Sequence, residues 1–371
     1  MANKQIMIYV VIIIAVLVFV SGCSKNATSG PVKVGVALPL TGAWAIGGEA
    51  VHQGIQVALD ELNVREGAKK KPIELIIEDT RSSVPNAVTA VQKLINVDKI
   101  NVIIAGALSA EAVGVAPVAQ EAKVVLLAPL PLTTTVEKAG EWVFKLREST
   151  GKHAESILVE MKKRGYLKIG IISQAYEACE DLLTQMEKYN DNVNVEFLII
   201  EKYDPADTDM RTQLIKIKEA NPEAWFSCGL YQDIGLVYKQ AKELDFDKPS
   251  FSMVAIENSK LFDIAGDTAE GVIFTATKFS CEDAQAFCDK FKLKYNKFPD
   301  YRAAFGYDSL LLVAKAMEEN GYSSEEIQKG LLDIKDFDGA TGKTTFDAEG
   351  NAQKDVVVKQ VKGRKFVEIA N

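Results

Sequence analysis

Histidine is nearly missing: His52 and His153 are the only two in 371 residues. That excludes a centre built mainly from imidazoles and narrows the scope for acid–base chemistry. A basic excess is missing too. Acidic residues number 51 against 43 Lys and Arg, so the chain has no electrostatic footprint for nucleic acid. Cysteine is sparse at five, too few for a disulfide-built scaffold, and no C-x-x-C spacing marks a metal site. Nucleophile-elbow, Walker and dinucleotide motifs do not occur. Hydrophobic residues make up 47% and charged residues 25%, which excludes a disordered, collagen-like or polytopic membrane chain. At roughly 150 residues per domain, the length predicts about two domains, each with enough chain for a core.

The N-terminus has its own logic. Lys4 is the only charge before an apolar run from Ile6 to Val20, followed by Val20-Ser21-Gly22-Cys23 and a polar tract to Gly30. A charged start, a short apolar stretch and small residues at the cut predict a signal peptide over 1–22. The run falls short of the roughly 20 residues a membrane helix needs. Val-Ser-Gly-Cys resembles a lipobox, which implies a lipid on Cys23 and a flexible tether over 23–31. The alternative is an uncleaved anchor with an incidental cysteine. Either way the remaining chain is expected outside the cytoplasmic membrane, periplasmic or extracellular, and lipid-anchored in the first case.

From Val32 onward, short apolar strands alternate with amphipathic helices. Strands are predicted at 32–38, 73–78, 102–106 and 124–128, with helices after the Thr41–Gly48 loop and over 85–97 and 109–122. The pattern pauses at Val143–Gly151 and restarts. Strands then fall at 168–173, 195–200, 224–227, 250–254 and 271–276, with helices over 179–189, 210–220 and 235–243. Such alternation specifies parallel sheets covered by helices, here an α/β fold of two doubly wound lobes. A late helix is expected over 303–320. The tail, 343–346 and 355–360 around a turn at 347–351, reads as strand-turn-strand, with a last strand over 365–369. A chain that visits two lobes more than once forms a hinge, with a cleft at the strand C-termini.

Several stretches are familiar as an ordered set. Val34-Gly35-Val36-Ala37-Leu38-Pro39-Leu40-Thr41-Gly42 with Gly47, Gly48 and Gly54 resembles the opening of the leucine/isoleucine/valine-binding protein family. Gly106-Ala107-Leu108-Ser109 and Ala128-Pro129 with Thr133 resemble its cleft loops. Ile264 to Gly271 and Ala303 to Ser309 resemble its later segments. The likeness runs from about Val32 to the C-terminus. It implies a type I periplasmic binding protein, which delivers a small solute to the permease subunits of an ABC importer. It implies lobe 1 over 32–147 plus 278–341 and lobe 2 over 148–277 plus 342–371. The crossovers are placed near 143–151, 275–278 and 339–343.

Candidate ligand contacts follow from the residues and the resemblance together. Ser109 begins a helix; it can cap that helix or present a hydroxyl beside free amides to an anionic group. Trp44 sits on a Gly-rich loop, packed beneath it or lying as a lid on an apolar ligand face. The resemblance also implies cleft positions at Ala110, Leu130, Thr133, Tyr176, Leu230, Tyr231 and Tyr301. Several of these depart from the family's polar or aromatic residues. Ala110 replaces the second serine of a pair, Leu132 falls on a hydroxyl position, and Ala178 and Leu230 fall on aromatic positions. The acidic partner of an amino-acid ammonium has no match in register, and Glu257 lies two places away.

Cys179 and Cys228 are expected as free buried thiols, while Cys281 and Cys288 are spaced for a disulfide if Cys281 lies off the helix. No catalytic residue, cofactor or metal is expected. The leading function is capture of an amino acid-like solute for import, without chemistry. A ligand sensor acting on a membrane signalling partner is the alternative, and an enzyme using cleft Glu and Tyr residues is third.

Overall fold

The structure, a computed structural model, describes residues 30–64 and 71–369. The signal segment and Cys23 lie outside the described residues. In chain order the first elements are β1 (Val32–Leu38), α1 (Ala45–Val64), β2 (Ile73–Asp79), α2 (Val84–Asn96), β3 (Val102–Ala105), α3 (Ser109–Ala122), β4 (Val125–Ala128) and β5 (Val143–Lys145). These five strands form one parallel sheet in the order β2-β1-β3-β4-β5. Every residue of β3 and β4 is buried, as expected for strands covered on both faces.

The chain then crosses to a second sheet. Here α4 (Thr150–Lys163) is followed by β6 (Lys168–Gln174), α5 (Glu177–Asn190), β7 (Glu196–Tyr203), α6 (Arg211–Glu219), β8 (Ala224–Cys228), α7 (Tyr231–Glu243), β9 (Ser250–Ser252), α8 (Leu261–Ala265) and β10 (Ile273–Thr277). It returns through α9 (Gln285–Tyr295), α10 (Tyr301–Asn320), α11 (Ser324–Asp333), β11 (Phe337–Gly339) and β12 (Gly342–Thr344). Last come β13 (Val356–Lys362) and β14 (Lys365–Glu368), which complete the order β14-β13-β10-β9-β8-β6-β7. This sheet is mixed: β10 runs parallel to β9 but antiparallel to β13, and β13 is antiparallel to β14.

The strand-turn-strand expected for the tail forms only at its tip, where Phe346 and Ala352 make one antiparallel bridge across the 347–351 turn. The 343–346 segment contributes β12, which pairs with β11, while β13 is the neighbour of β10. Phe346 packs edge-on against Phe144 with centroids 5.4 Å apart, and Asn351 bridges Lys145 beside β5. These contacts keep 346–352 against the first sheet. The third passage thus follows Ala352, later than 339–343.

The late helix belongs to the first lobe through two glycines. A Cβ on Gly54 of α1 would sit 1.8 Å from the Ala303 carbonyl oxygen, and one on Gly306 would sit 2.1 Å from that of Val51. Only glycine lets these two backbones touch. The first turn of α10 is fixed by Asp300, whose carboxylate accepts from the amides of Arg302 (2.9 Å) and Ala303 (3.2 Å). This aims Tyr301 and Arg302 at the space between the lobes.

Both remaining cysteine pairs form disulfides, Cys179–Cys228 and Cys281–Cys288. The expectation of free thiols at Cys179 and Cys228 is corrected. Cys228 ends β8, Cys179 lies in the first turn of α5 beside it, and the 5.8 Å Cα separation suits a bridge.

Candidate functional site

The C-terminal ends of the parallel strands from both sheets face one another, where ligands bind in open α/β folds. They enclose a cavity of about 50 Å3, a few water positions at ~10–15 Å3 each on the same measure. Lobe 1 supplies Trp44 after β1, Ala107 to Ser109 after β3, Leu130 and Leu132 after β4, and Arg147 after β5. Lobe 2 supplies Tyr176, Ala178 and Cys179 around the start of α5, Gly229 to Tyr231 after β8, and Met253 to Ala255 after β9. Tyr301 and Arg302 close the wall.

Ser109 is the first residue of α3, with Leu108 in the cap position, so its side chain does not cap the helix. Its Oγ accepts from the Leu132 amide at 3.2 Å, which leaves the hydroxyl proton free to donate into the cavity. Tyr176 stands opposite, its side chain near the Ser109 backbone across the cleft. Burial pushes the Tyr176 pKa up, so it stays a neutral phenol. Trp44 is half-buried, with its amide bonded to Ser82 Oγ at 3.0 Å and its ring over Gly47.

Trp44, Ser109, Leu130, Tyr176, Leu230, Tyr231 and Tyr301 meet at the cavity. Three expected contacts lie elsewhere. Ala110 is the second residue of α3 and outside the lining. Thr133 is buried behind it, its hydroxyl donating to Glu177 at 3.1 Å. With Thr134, which donates twice to Asp181 at 2.7 Å, it ties the lobe 1 loop to α5. Glu257 lines a neighbouring groove, where Lys359 holds its carboxylate at 2.6 Å. Burial raises the Glu257 pKa against the opposing pull of the Lys359 charge. Ala255 stands at the cavity wall instead.

Two arginines escaped the sequence reading. Arg147 is 5% exposed, and its guanidinium carbon lies 4.7 Å from the Tyr301 ring centroid; Arg302, equally buried, lies 4.5 Å from it. Behind Arg147 sits a fully buried cluster. Glu148 Oε1 accepts from Arg147 Nε at 3.0 Å and from the Thr277 hydroxyl, and it bonds His153 Nε2 at 3.1 Å. His153 Nδ1 bonds Thr275 at 2.9 Å. Burial opposes ionisation of Glu148, but the Arg147 charge, the His153 hydrogen bond and the Thr277 hydroxyl hold its carboxyl well below the usual range. Burial pushes the His153 pKa down despite Glu148, so the ring is neutral. This cluster joins the first crossover to the end of β10, beside the hinge.

Among the described residues lining the cavity there is no His, Asp or Glu. Ser109 therefore has no such side chain beside it in the cavity wall to act as a base. Among the described residues no helix is long and apolar enough to cross a membrane.

Comparison with known proteins agrees with this geometry. The family model described as periplasmic binding protein matches residues 31–365. The leucine-, isoleucine-, valine-, threonine- and alanine-binding protein of Pseudomonas aeruginosa is 22% identical over 88% of this chain and 89% of its own. The leucine binding protein LivK from Thermotoga maritima superposes with a TM-score of 0.84 at 27% identity, covering 91% of this chain and 98% of that one. The branched-chain amino acid transporter substrate binding protein LivJ from Streptococcus pneumoniae, solved with isoleucine, gives 0.83 at 25% identity over 91% and 99%.

Proposed function

The chain belongs to the periplasmic binding protein family, and from that premise we propose that it is an extracytoplasmic solute-binding lipoprotein of an ABC importer. It captures one small polar or amphipathic solute between its lobes and hands it to the permease subunits chemically unchanged. The relatives named for branched-chain amino acids support a ligand of amino-acid size, either an amino acid or a related compound. The lobes, 32–147 with 278–352 and 148–277 with 353–371, move about the crossovers, the third of which follows Ala352. A lipid on Cys23 holds the protein at the outer face of the cytoplasmic membrane.

The observation that carries this function is the cavity itself: strand ends of both sheets line it, and among the described residues no His, Asp or Glu does. The test is a thermal-shift screen of the full-length protein with small carboxylic and amino acids. A solute that binds only the folded state raises Tm with concentration, by the equivalent of about 2.7 kcal/mol at a hundredfold excess over Kd. After prolonged incubation the solute is expected intact by mass spectrometry. A turnover product would overturn the proposal.

A further inference from the structure

The charge lining the cleft is of one sign. Arg147 is anchored from behind: Nε by Glu148, and Nη2 by the Thr277 hydroxyl at 3.1 Å. Nη1 reaches only the Leu130 carbonyl, at 3.4 Å. Arg302 gives Nη1 to Asp300 at 2.8 Å, and its remaining N–H groups have no partner among the described residues. Arg147 and Arg302 both line the cavity, while Glu148 and Asp300 stand outside its lining. Three helices add to the same sign. The N-termini of α3, α5 and α7 all open on the cavity, and none has a side-chain cap.

An amino acid brings an ammonium as well as a carboxylate. A buried ammonium needs an acidic or acceptor-rich partner, and two guanidinium groups in the same wall repel it. Among the described residues no carboxylate lines the cavity, and the candidate that the sequence offered, Glu257, is held by Lys359 in the adjoining groove. Elsewhere the wall is apolar or aromatic: Trp44, Leu130, Leu132, Leu230, Met253 and Val254. A carboxylate matches the arginines and the Ser109 hydroxyl, and a short hydrocarbon or ring matches the apolar wall.

We propose that the ligand of this cleft is a small apolar monocarboxylate without an ammonium group, such as a branched 2-oxo acid or an aromatic acid. This rests on the cleft being the ligand site. Leucine and 4-methyl-2-oxopentanoate form a matched pair that differ only where the ammonium replaces the oxo oxygen. Isothermal titration of the full-length protein with both, and with benzoate, provides the test. At least one of the two ammonium-free acids is expected to bind 100-fold or more tightly than leucine. Arg302→Gln should weaken that acid at least 30-fold and narrow the gap to leucine, whereas Arg302→Lys should recover part of the affinity. Circular dichroism of each variant separates loss of binding from loss of fold. Leucine binding as tightly as the better ammonium-free acid overturns the inference while leaving capture and delivery intact, most plainly if Glu257→Gln then abolishes leucine binding. Failure of both ammonium-free acids to bind also overturns it.

Discussion

Replacing Cys179 and Cys228 together by alanine probes stability and the site at once. The two residues are 49 apart in sequence, against 7 for Cys281 and Cys288. If a cross-link acts by restricting the unfolded chain, the longer loop is worth about 4 kcal/mol and the shorter about 2.5 kcal/mol at 25 °C. The longer bridge also ties the first turn of α5 to the end of β8, and both flank the cavity, through Tyr176, Ala178 and Cys179 and through Gly229 to Tyr231. Its loss should therefore weaken ligand binding as well. The shorter bridge lies before and within α9, outside the cavity lining, so its loss should spare affinity. Urea unfolding of the two double-alanine variants, beside titration with the solute that stabilises the parent protein, measures both effects. The reasoning fails if the Cys179/Cys228 variant loses less than the Cys281/Cys288 variant. It also fails if both variants bind like the parent.

Three other outcomes follow from the same structure. The folded-state pKa of His153 is lowered by burial, so the unfolded chain takes up a proton first as pH falls. Stability should be fully present above about pH 6.5 and decline below it by up to about 1.4 kcal/mol per pH unit, with Glu148 adding its loss below about pH 4.5. Urea midpoints at pH 7.5, 6.5 and 5.5 read this, and an unchanged midpoint contradicts it. Gly54→Ala should cost about 1–3 kcal/mol and lower affinity, because its Cβ would meet the Ala303 carbonyl at 1.8 Å and displace the helix that carries Tyr301 and Arg302. Denaturation and titration of that variant check both parts. Cys23→Ser should leave the precursor unprocessed or free it from the membrane fraction, and unchanged mass with full membrane retention would contradict a lipid anchor.

Uniformly apolar strands and regular helical spacing were legible locally, which is why α3 over 109–122 and the buried β3 and β4 read well. The start of α7 did not. Its cap position is Leu230, which carries no polar side chain, and Gly235 disguised a helix already under way. The α4 helix was passed over although Ala154, Ile157, Leu158 and Met161 are buried at helical spacing, because charged residues separate them. The partner of β13 is β10, roughly eighty residues earlier, and nothing in the local 347–351 turn announces so distant a neighbour. In the site, Trp44, Tyr176 and Tyr301 were accessible through the family pattern. Arg147 and Arg302 were hidden because an arginine one or two positions from an acidic residue, Glu148 or Asp300, reads as a surface pair. The signal was the setting: Arg302 opens a helix whose next residues, Ala303 to Phe305, are all buried, and a charge in such a wall needs an occupant.

Trp44 allows the central claim, capture of a solute in this cleft, to be tested directly. Trp142 and Trp225 are buried at 5% and 2% exposure and stand apart from the cavity lining, whereas Trp44 is half-buried in that lining. The acid that most raises Tm should therefore change the intrinsic tryptophan fluorescence saturably, with one site per chain. Trp44→Phe should abolish the change while calorimetry still detects binding. A fluorescence change that persists undiminished in Trp44→Phe would place the ligand elsewhere and contradict the account.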